Sequence, residues 1–577
     1  MRYRLNRRDF FRLAAMPALS GAARAGGTEK SPGKSVTFVP QAMPVSLDPI
    51  ATPSFATRTA SMAVFETLYG TDADLNPMPQ MVSGHRTEDE GKRWIFQLRP
   101  GLLFHDGTRV TAADCVASLR RWMARDRVGR ALAARLEAIE ATTEETLTLR
   151  LTRPLLGVPL MLTKSQLSPP VIMPARLAAT SPFTPVAEIV GSGPFRLPNL
   201  SWHPGENLDL LRFTQYQPRP EASSFTGGGR VALLDRVSWR TQDDPVRALR
   251  DGAVDWVEML PPNLVDEMLE APGLAVARLD DVGYYALLRL NTRRGPTANP
   301  AIRRAILAGI DPTAVMQTVF GTGTGRFATP LGLFPPASLY ASTAGMDNLG
   351  ATLSPRAIKA RLKDAGYKGE SIVILNPVDD MIATRLTGAV IDELPQIGLT
   401  VEERKLAHPA FATWRRHAGA DAADDWSALC DSLPAADQFD GFAVSAGPGP
   451  SRPGGGVSGG GTSGGGTGRG GASGDGTSQV GASGAATSKA DASGEAAFGD
   501  IWPGWPDDDG AGHARDAWID ATDARVRAAL AASIQTRVFT TAAFVPLGQW
   551  FPMTAWRASM TGPRRGCFPV FWDVARA

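Results

Sequence analysis

Residues 94–122 read WIFQLRPGLLFHDGTRVTAADCVASLRRW, and the way this stretch folds decides what kind of protein the chain makes. His105 beside Asp106 is a base next to an acid, which would suit a catalytic site. The surrounding residues point elsewhere. Trp94, Phe96 and Leu98 alternate as a half-buried strand does. Pro100–Gly101 forms a turn, and Leu102–Phe104 reads as a second short strand. Asp106–Gly107 is a tight-turn pair. Thr111 then caps a helix, with Asp114 at the capping-box position three residues on. Every residue has a structural task, and His105 lacks the nucleophile or metal motif that a general base would serve. The stretch therefore predicts strand, turn and helix, with His105 in a structural role.

Outside it, helices and strands alternate along the chain. Residues 35–40 (SVTFVP) read as a strand and 58–69 (RTASMAVFETLY) as a helix. Residues 236–240, 244–252 and 253–260 predict a βαβ unit with Gly252 as the helix stop. Asn299–Pro300 and Ser354–Pro355 open two further helices with a capping residue and a proline at the first helical position. Strands at 371–376 and 399–404 flank a long helix over 379–394. Residues 139–151 read as a β-hairpin. The fold class is α/β.

The chain has 577 residues, 43% of them hydrophobic, which is ample for a large core and suggests two or more domains. No stretch approaches the roughly 18 uninterrupted apolar residues of a membrane span. Residues 1–25 carry Arg7–Arg8, a weakly apolar run and Ala23–Arg24–Ala25, the order of a twin-arginine export signal with its cleavage site. They hold six arginines and one aspartate, so their removal takes the formal charge from +2 to −3. A slightly acidic mature chain argues against nucleic-acid binding. The cleavage site has no cysteine to acylate, so a lipid anchor is not expected. Cys115, Cys430 and Cys567 show no metal-binding spacing, and Cys115 falls on the apolar face of its helix.

From 447 to 497 the chain is almost entirely Gly, Ser, Thr and Ala with a degenerate ten-residue repeat. That composition cannot offset its ordering entropy and predicts a flexible insertion. Gly456–Gly460 and Gly461–Gly465 match the nucleophile-elbow pattern, but neither has the flanking strand and helix that an elbow needs.

The run from Trp94 to Trp122 resembles the signature of the solute-binding proteins of ABC importers, family 5, which take peptides, nickel or oligosaccharides. SLDP (46–49), VFETLYG (64–70), GSGPFRL (191–197), RALRDGAVDWVE (247–258), LRLNT (288–292) and FVPLGQW (544–550) agree in the expected order. The resemblance implies a two-lobed periplasmic binding protein of type II. Lobe I would span 34–280, with an extra subdomain at about 48–180, and would be rejoined by 536–577. Lobe II would span 281–535 and carry the insertion. YYALLRLN (284–291) and FVPLGQW are the expected crossover strands.

The resemblance further implies a monomer that captures a small molecule or peptide, closes on it and presents it to a membrane permease, with no catalysis, cofactor or metal. Ser54, Phe55, Tyr285, Asn291 and Trp550 are the candidate ligand-binding residues, with the aromatics exposed at the hinge. Peptide binders of the family hold the ligand's amino terminus with an Asp after an F-D…A-G-W segment. Here Phe439–Asp440 leads into Ala446–Gly447 and then the insertion, so the anchor is missing or displaced to Asp507–Asp509. Two other readings are an exported hydrolase and a periplasmic metal or haem carrier. For the second, His408, His417 and His513 lack ligand spacing.

Overall fold

Trp94, Phe96 and Leu98 are buried as expected, but Ile95 is buried too and Gln97 alone is exposed, on an inner strand of a four-stranded antiparallel sheet in the computed structural model. Its strands run Val82–Glu88, Arg93–Leu98, Thr146–Leu151 and Leu136–Ala141, so the expected hairpin forms. The structure describes residues 34–164, 167–199, 202–204, 206–350, 353–407, 410–411, 414, 426–438 and 509–576. The Arg7–Arg8 segment, the 447–497 insertion, the Phe439–Gly447 segment, His408, His417 and the Asp507–Asp508 pair lie outside them.

Two expectations need correction. Leu102–Phe104 is not a strand but one arm of the Asp106–Gly107 turn, closed by Phe104 N–H to the Thr108 carbonyl at 2.8 Å and a lone bridge between Leu103 and Arg109. The helix expected over 58–69 instead runs Phe55–Val64. Ser54 opens it by accepting the Thr57 N–H. It ends at Val64, whose carbonyl is taken by the Gly193 N–H at 2.8 Å. The chain beyond it is extended, in strands Glu66–Thr67 and Tyr69–Thr71. A tertiary partner for a terminal carbonyl is not visible in local sequence. The capped helices at Thr111, Asn299 and Ser354 start where their caps predict.

Two larger sheets carry the two lobes. The first has seven strands, in the order Phe195–Arg196, Leu208–Arg212, Arg236–Trp239, Ser35–Val39, Trp256–Val257, Thr554–Arg557 and Leu274–Ala277. The βαβ unit is present, but its strands are not neighbours. Ser35–Val39 lies between them, parallel to both. This parallel centre is buried on both faces, as a βαβ sheet requires. Phe38 meets Trp239, Trp256 and Phe571 edge-on at 4.9–5.3 Å.

The second sheet has six strands: Phe327–Ala328, Phe544–Trp550, Tyr284–Leu290, Ala428–Pro434, Ser371–Pro377 and Thr400–Leu406. The chain leaves the first sheet after Ala277 and enters the second at Tyr284. It returns between Trp550 and Thr554. The crossings themselves are thus short loops, and the expected crossover strands lie wholly in the second sheet. Gly283 sits at the first crossing with φ +64°, and a Cβ there would stand 2.3 Å from the Trp550 carbonyl oxygen. The two crossings can approach so closely because that position is glycine. Cys115, Cys430 and Cys567 are buried, and none is in a disulfide.

Candidate functional site

In sheets with parallel strands, ligands sit beyond the strands' carboxyl ends. Here the carboxyl ends of Ser35–Val39 and Trp256–Val257 deliver Gln41 and Glu258, joined by Gln41 N–H to Glu258 Oε2 at 2.8 Å. The first crossing adds Leu279, Asp280 and Tyr284, and the return adds Pro552 and Thr554. With Cys567 and Phe568 from the C-terminal segment, these enclose a cavity of about 40 Å³. A larger hollow of about 500 Å³ lies among Ala301, Arg304, Asp347, Arg361 and Thr540. All of that lining belongs to the side of the six-stranded sheet, so a solute there could not bridge the two lobes.

Two carboxylates line the hinge cavity, and neither forms an ion pair among the described residues. Asp280 is 6% exposed, and its Oδ1 accepts the N–H groups of Val282 and Gly283 at 3.0 and 2.7 Å. Burial lifts its pKa to about 6, against the pull of those two bonds and of the Arg58 charge. Burial also raises Glu258, opposed by Gln41 and Arg58. Arg58 is 2% exposed. Its guanidinium stacks on Phe568 at 4.2 Å and lies 5.7 Å from the Phe55 ring. Its Nε has no hydrogen-bond partner among the described residues. None of the three belongs to an ion pair there.

None of the five expected ligand residues lines this cavity, and Asn291 lies beyond the opposite end of the strand from Tyr284. Ser54 caps its helix. Asn291 is fully buried and closes a strand end, donating to the Trp426 carbonyl at 2.9 Å and accepting the Arg293 N–H at 3.0 Å. Tyr285 is 1% exposed, points into the core and leaves its hydroxyl without a partner among the described residues. Trp550 is 3% exposed, stacked between Tyr284 and Phe320 at 4.9 and 5.1 Å and bonded to the Ser432 hydroxyl. The expectation of exposed aromatics therefore fails for these two. Phe55 is half-buried, edge-on to Tyr284 at 6.3 Å.

Tyr284 reaches the cavity, as Phe568 does, and lies one residue from the expected one. Strand alternation makes Tyr284 and Tyr285 face opposite ways, and the sequence does not say which faces the cleft. Glu258, Asp280 and Arg58 were missed. Glu258 directly follows an apolar strand, but Arg58 sits in a helix between two threonines and Asp280 in a loop beside Asp281, so no local pattern marked them.

His105 is a structural residue. Nδ1 accepts the Gly191 N–H at 3.3 Å, which leaves Nε2 to donate to the Gly193 carbonyl at 3.0 Å. Burial holds its pKa down at about 4. Asp106 accepts the Thr108 N–H and hydroxyl. No group of three or more His, Cys, Asp or Glu converges as a metal site among the described residues.

The profile of the bacterial extracellular solute-binding proteins, family 5 Middle, matches residues 76–445. A probable peptide ABC transporter periplasmic-binding protein of Sinorhizobium fredii is 29% identical over 587 residues, covering 99% of this chain and 100% of the relative. Among solved structures, the periplasmic binding protein AgaA of A. tumefacien R10, in complex with agropinic acid, superposes with a TM-score of 0.69 at 20% identity. That superposition covers 94% of this chain and 99% of the other. The dipeptide-binding protein of Pseudoalteromonas sp. SM9913, in complex with Met-Leu, gives 0.70 at 14%, covering 94% and 100%. At these identities the structures share the two-lobed fold.

Proposed function

The chain belongs to the family 5 bacterial extracellular solute-binding proteins of ABC importers, and from that premise we propose that it captures a peptide-like or other small polar solute in the periplasm. The observation that carries this reading is the cavity at the two crossings, where Glu258 and Asp280 from the side of the seven-stranded sheet face Tyr284 from the six-stranded one. We take lobe I as 34–280 with the return in 536–577, and lobe II as 281–535. In support, the chain leaves the seven-stranded sheet after Ala277 and re-enters it at Thr554.

The mechanism is a population shift. At about 40 Å³ the cavity holds no more than a few waters, so a solute enters when the lobes part. A solute that touches both lobes favours the closed form through its differential affinity, and a permease reads that form. The proposed protein acts as a monomer, is exported through Arg7–Arg8 and leaves its solute chemically unchanged.

The test is small-angle scattering on protein stripped of solute, with the solute that co-purifies from the periplasm added back. The radius of gyration should fall at saturation, and mass spectrometry should return the solute intact. An unchanged radius, or a chemically altered solute, overturns the reading.

A further inference from the structure

Far from the crossings in sequence, the chain joins its two halves a second time. Arg135 and Arg153 flank the hairpin Leu136–Ala141 and Thr146–Leu151, in the stretch taken above as lobe I. Helix Asp509–Asp520, in the stretch taken as lobe II, meets both of them through its acids. That helix is held on its own side by Trp518, which lies edge-on to Tyr340 at 5.1 Å and under Arg527 of the next helix. We propose that Arg135, Arg153, Asp516 and Asp520 form an ion-pair latch that draws the lobes toward the closed form before any solute binds. The proposal rests on the two-lobed capture reading above and adds a control on its closure.

The first argument is how one cation is shared. The Arg135 side chain is 2% exposed. Its Nη1 donates to the Ala131 carbonyl at 2.8 Å, within its own lobe. Its other edge reaches across: Nε donates to the Asp520 carboxylate, and Nη2 donates to the Asp516 carbonyl at 3.3 Å. The same Nη2 lies 3.9 Å from the Asp516 carboxylate. Arg153 takes the second oxygen of Asp520 at 2.8 Å. Parting the lobes here exchanges these acids for water, so the contact is reversible. Arg153 is half exposed and adds less than Arg135 does.

The second argument is where the acids stand. Asp520 ends its helix and Asp516 lies one turn earlier. The negative end of a helix dipole disfavours a carboxylate there. Local helix energetics do not favour these acids, whereas two cations across the contact do.

The third argument is what their loss would leave. Arg515, on the same helix, is close enough to Arg135 to feel its charge. With Asp516 and Asp520 neutral, Arg135 and Arg153 would meet Arg515, and attraction across the contact would give way to repulsion.

The test is small-angle scattering on solute-free protein in sodium chloride from about 0.01 to about 1 M, which shortens the screening length from about 30 to about 3 Å. The wild-type radius of gyration should be smallest at the lowest salt and grow as salt rises. D516N/D520N should show the larger radius at every salt while unfolding cooperatively, its closed-to-open ratio reduced about tenfold or more, as for loss of a close charge pair. R153Q, at the half-exposed partner in lobe I, should weaken the salt response in part, and it decides the matter if D516N/D520N folds poorly. A wild-type radius independent of salt, or a wild-type salt response in either variant, overturns the latch. No solute enters this measurement, so solute capture stands or falls by its own test above.

Discussion

The Asp48–Arg121 region and the hinge cavity both bury charge, and they treat it in opposite ways. Arg121 projects from the helix that ends the Trp94–Trp122 stretch, and Asp48 belongs to the Ser46–Pro49 motif. They form a two-pronged ion pair at 3.0 and 2.7 Å, with both side chains almost wholly buried. Asp48 also accepts the N–H groups of Ile50, Ala51 and Val186, while Arg121 reaches the Thr180, Ser181 and Thr184 carbonyls. Two motifs that carry the family resemblance thus meet in one satisfied network. At the hinge, Arg58, Glu258 and Asp280 lie near one another without pairing. A region that holds its shape closes its polar network, whereas the proposed solute site leaves part of its own open.

The largest expected effect tests the closed side. Asp48→Ala leaves Arg121 buried without its carboxylate and should cost about 3–5 kcal/mol of unfolding free energy, as breaking a buried pair does. Denaturant titration measures it. A loss below about 1 kcal/mol would mean that the carbonyls alone satisfy Arg121 and that the contrast with Arg58 is false.

His105 should dominate the acid sensitivity of the same region. Its folded pKa of about 4 lies below the ordinary 6.5, so the unfolded chain takes up a proton first as pH falls. The stability it contributes is whole above about 6.5 and is lost progressively down to about 4, to a total of about 3 kcal/mol. His105→Gln should flatten this part of the stability–pH curve and leave solute binding intact.

Asp280 should show the opposite sign. Its folded pKa of about 6 lies above the ordinary 3.8, so its contribution is fully present below about 3.8 and is lost as pH rises through about 6. In solute-free protein, Asp280→Asn should raise stability at pH 7 by about 1–3 kcal/mol, and the gain should vanish near pH 4. A variant destabilised at pH 7 would show that Asp280 serves folding and would remove the contrast between the two regions.

The smallest effect belongs to Asp106. It is partly exposed and tied to Thr108 and Arg176, so Asp106→Ala should cost about 0.5–2 kcal/mol at any pH above its titration. Thermal melts of the Asp106→Ala and His105→Gln variants, compared at pH 7 and pH 5, separate the two neighbours.

Trp550 shows how far such readings extend. As a cleft wall, its loss would weaken binding more than stability. Stacked between Tyr284 and Phe320 and bonded to Ser432, it belongs to the core, where truncation of a tryptophan costs about 3–5 kcal/mol. The segment was legible as a hinge element, but the direction of its side chain was not.

The sequence by itself determined what local interactions decide. The Thr111–Asp114 capping box, the Asn299 and Ser354 caps, the Asp106–Gly107 turn and the alternation of Trp94, Phe96 and Leu98 all depend on residues within a few positions of one another. Such patterns survive translation into structure because their partners are always near in the chain. Tertiary structure decided the rest. It stopped the first helix at Val64 with a carbonyl bond to Gly193, and it set Ser35–Val39 between the strands of the βαβ unit. It also brought Gln41, Glu258, Asp280 and Phe568 to one cavity from four separate stretches. No local pattern encodes which distant charge will face which, because that depends on where two sheets, joined by two crossings among the described residues, come to rest.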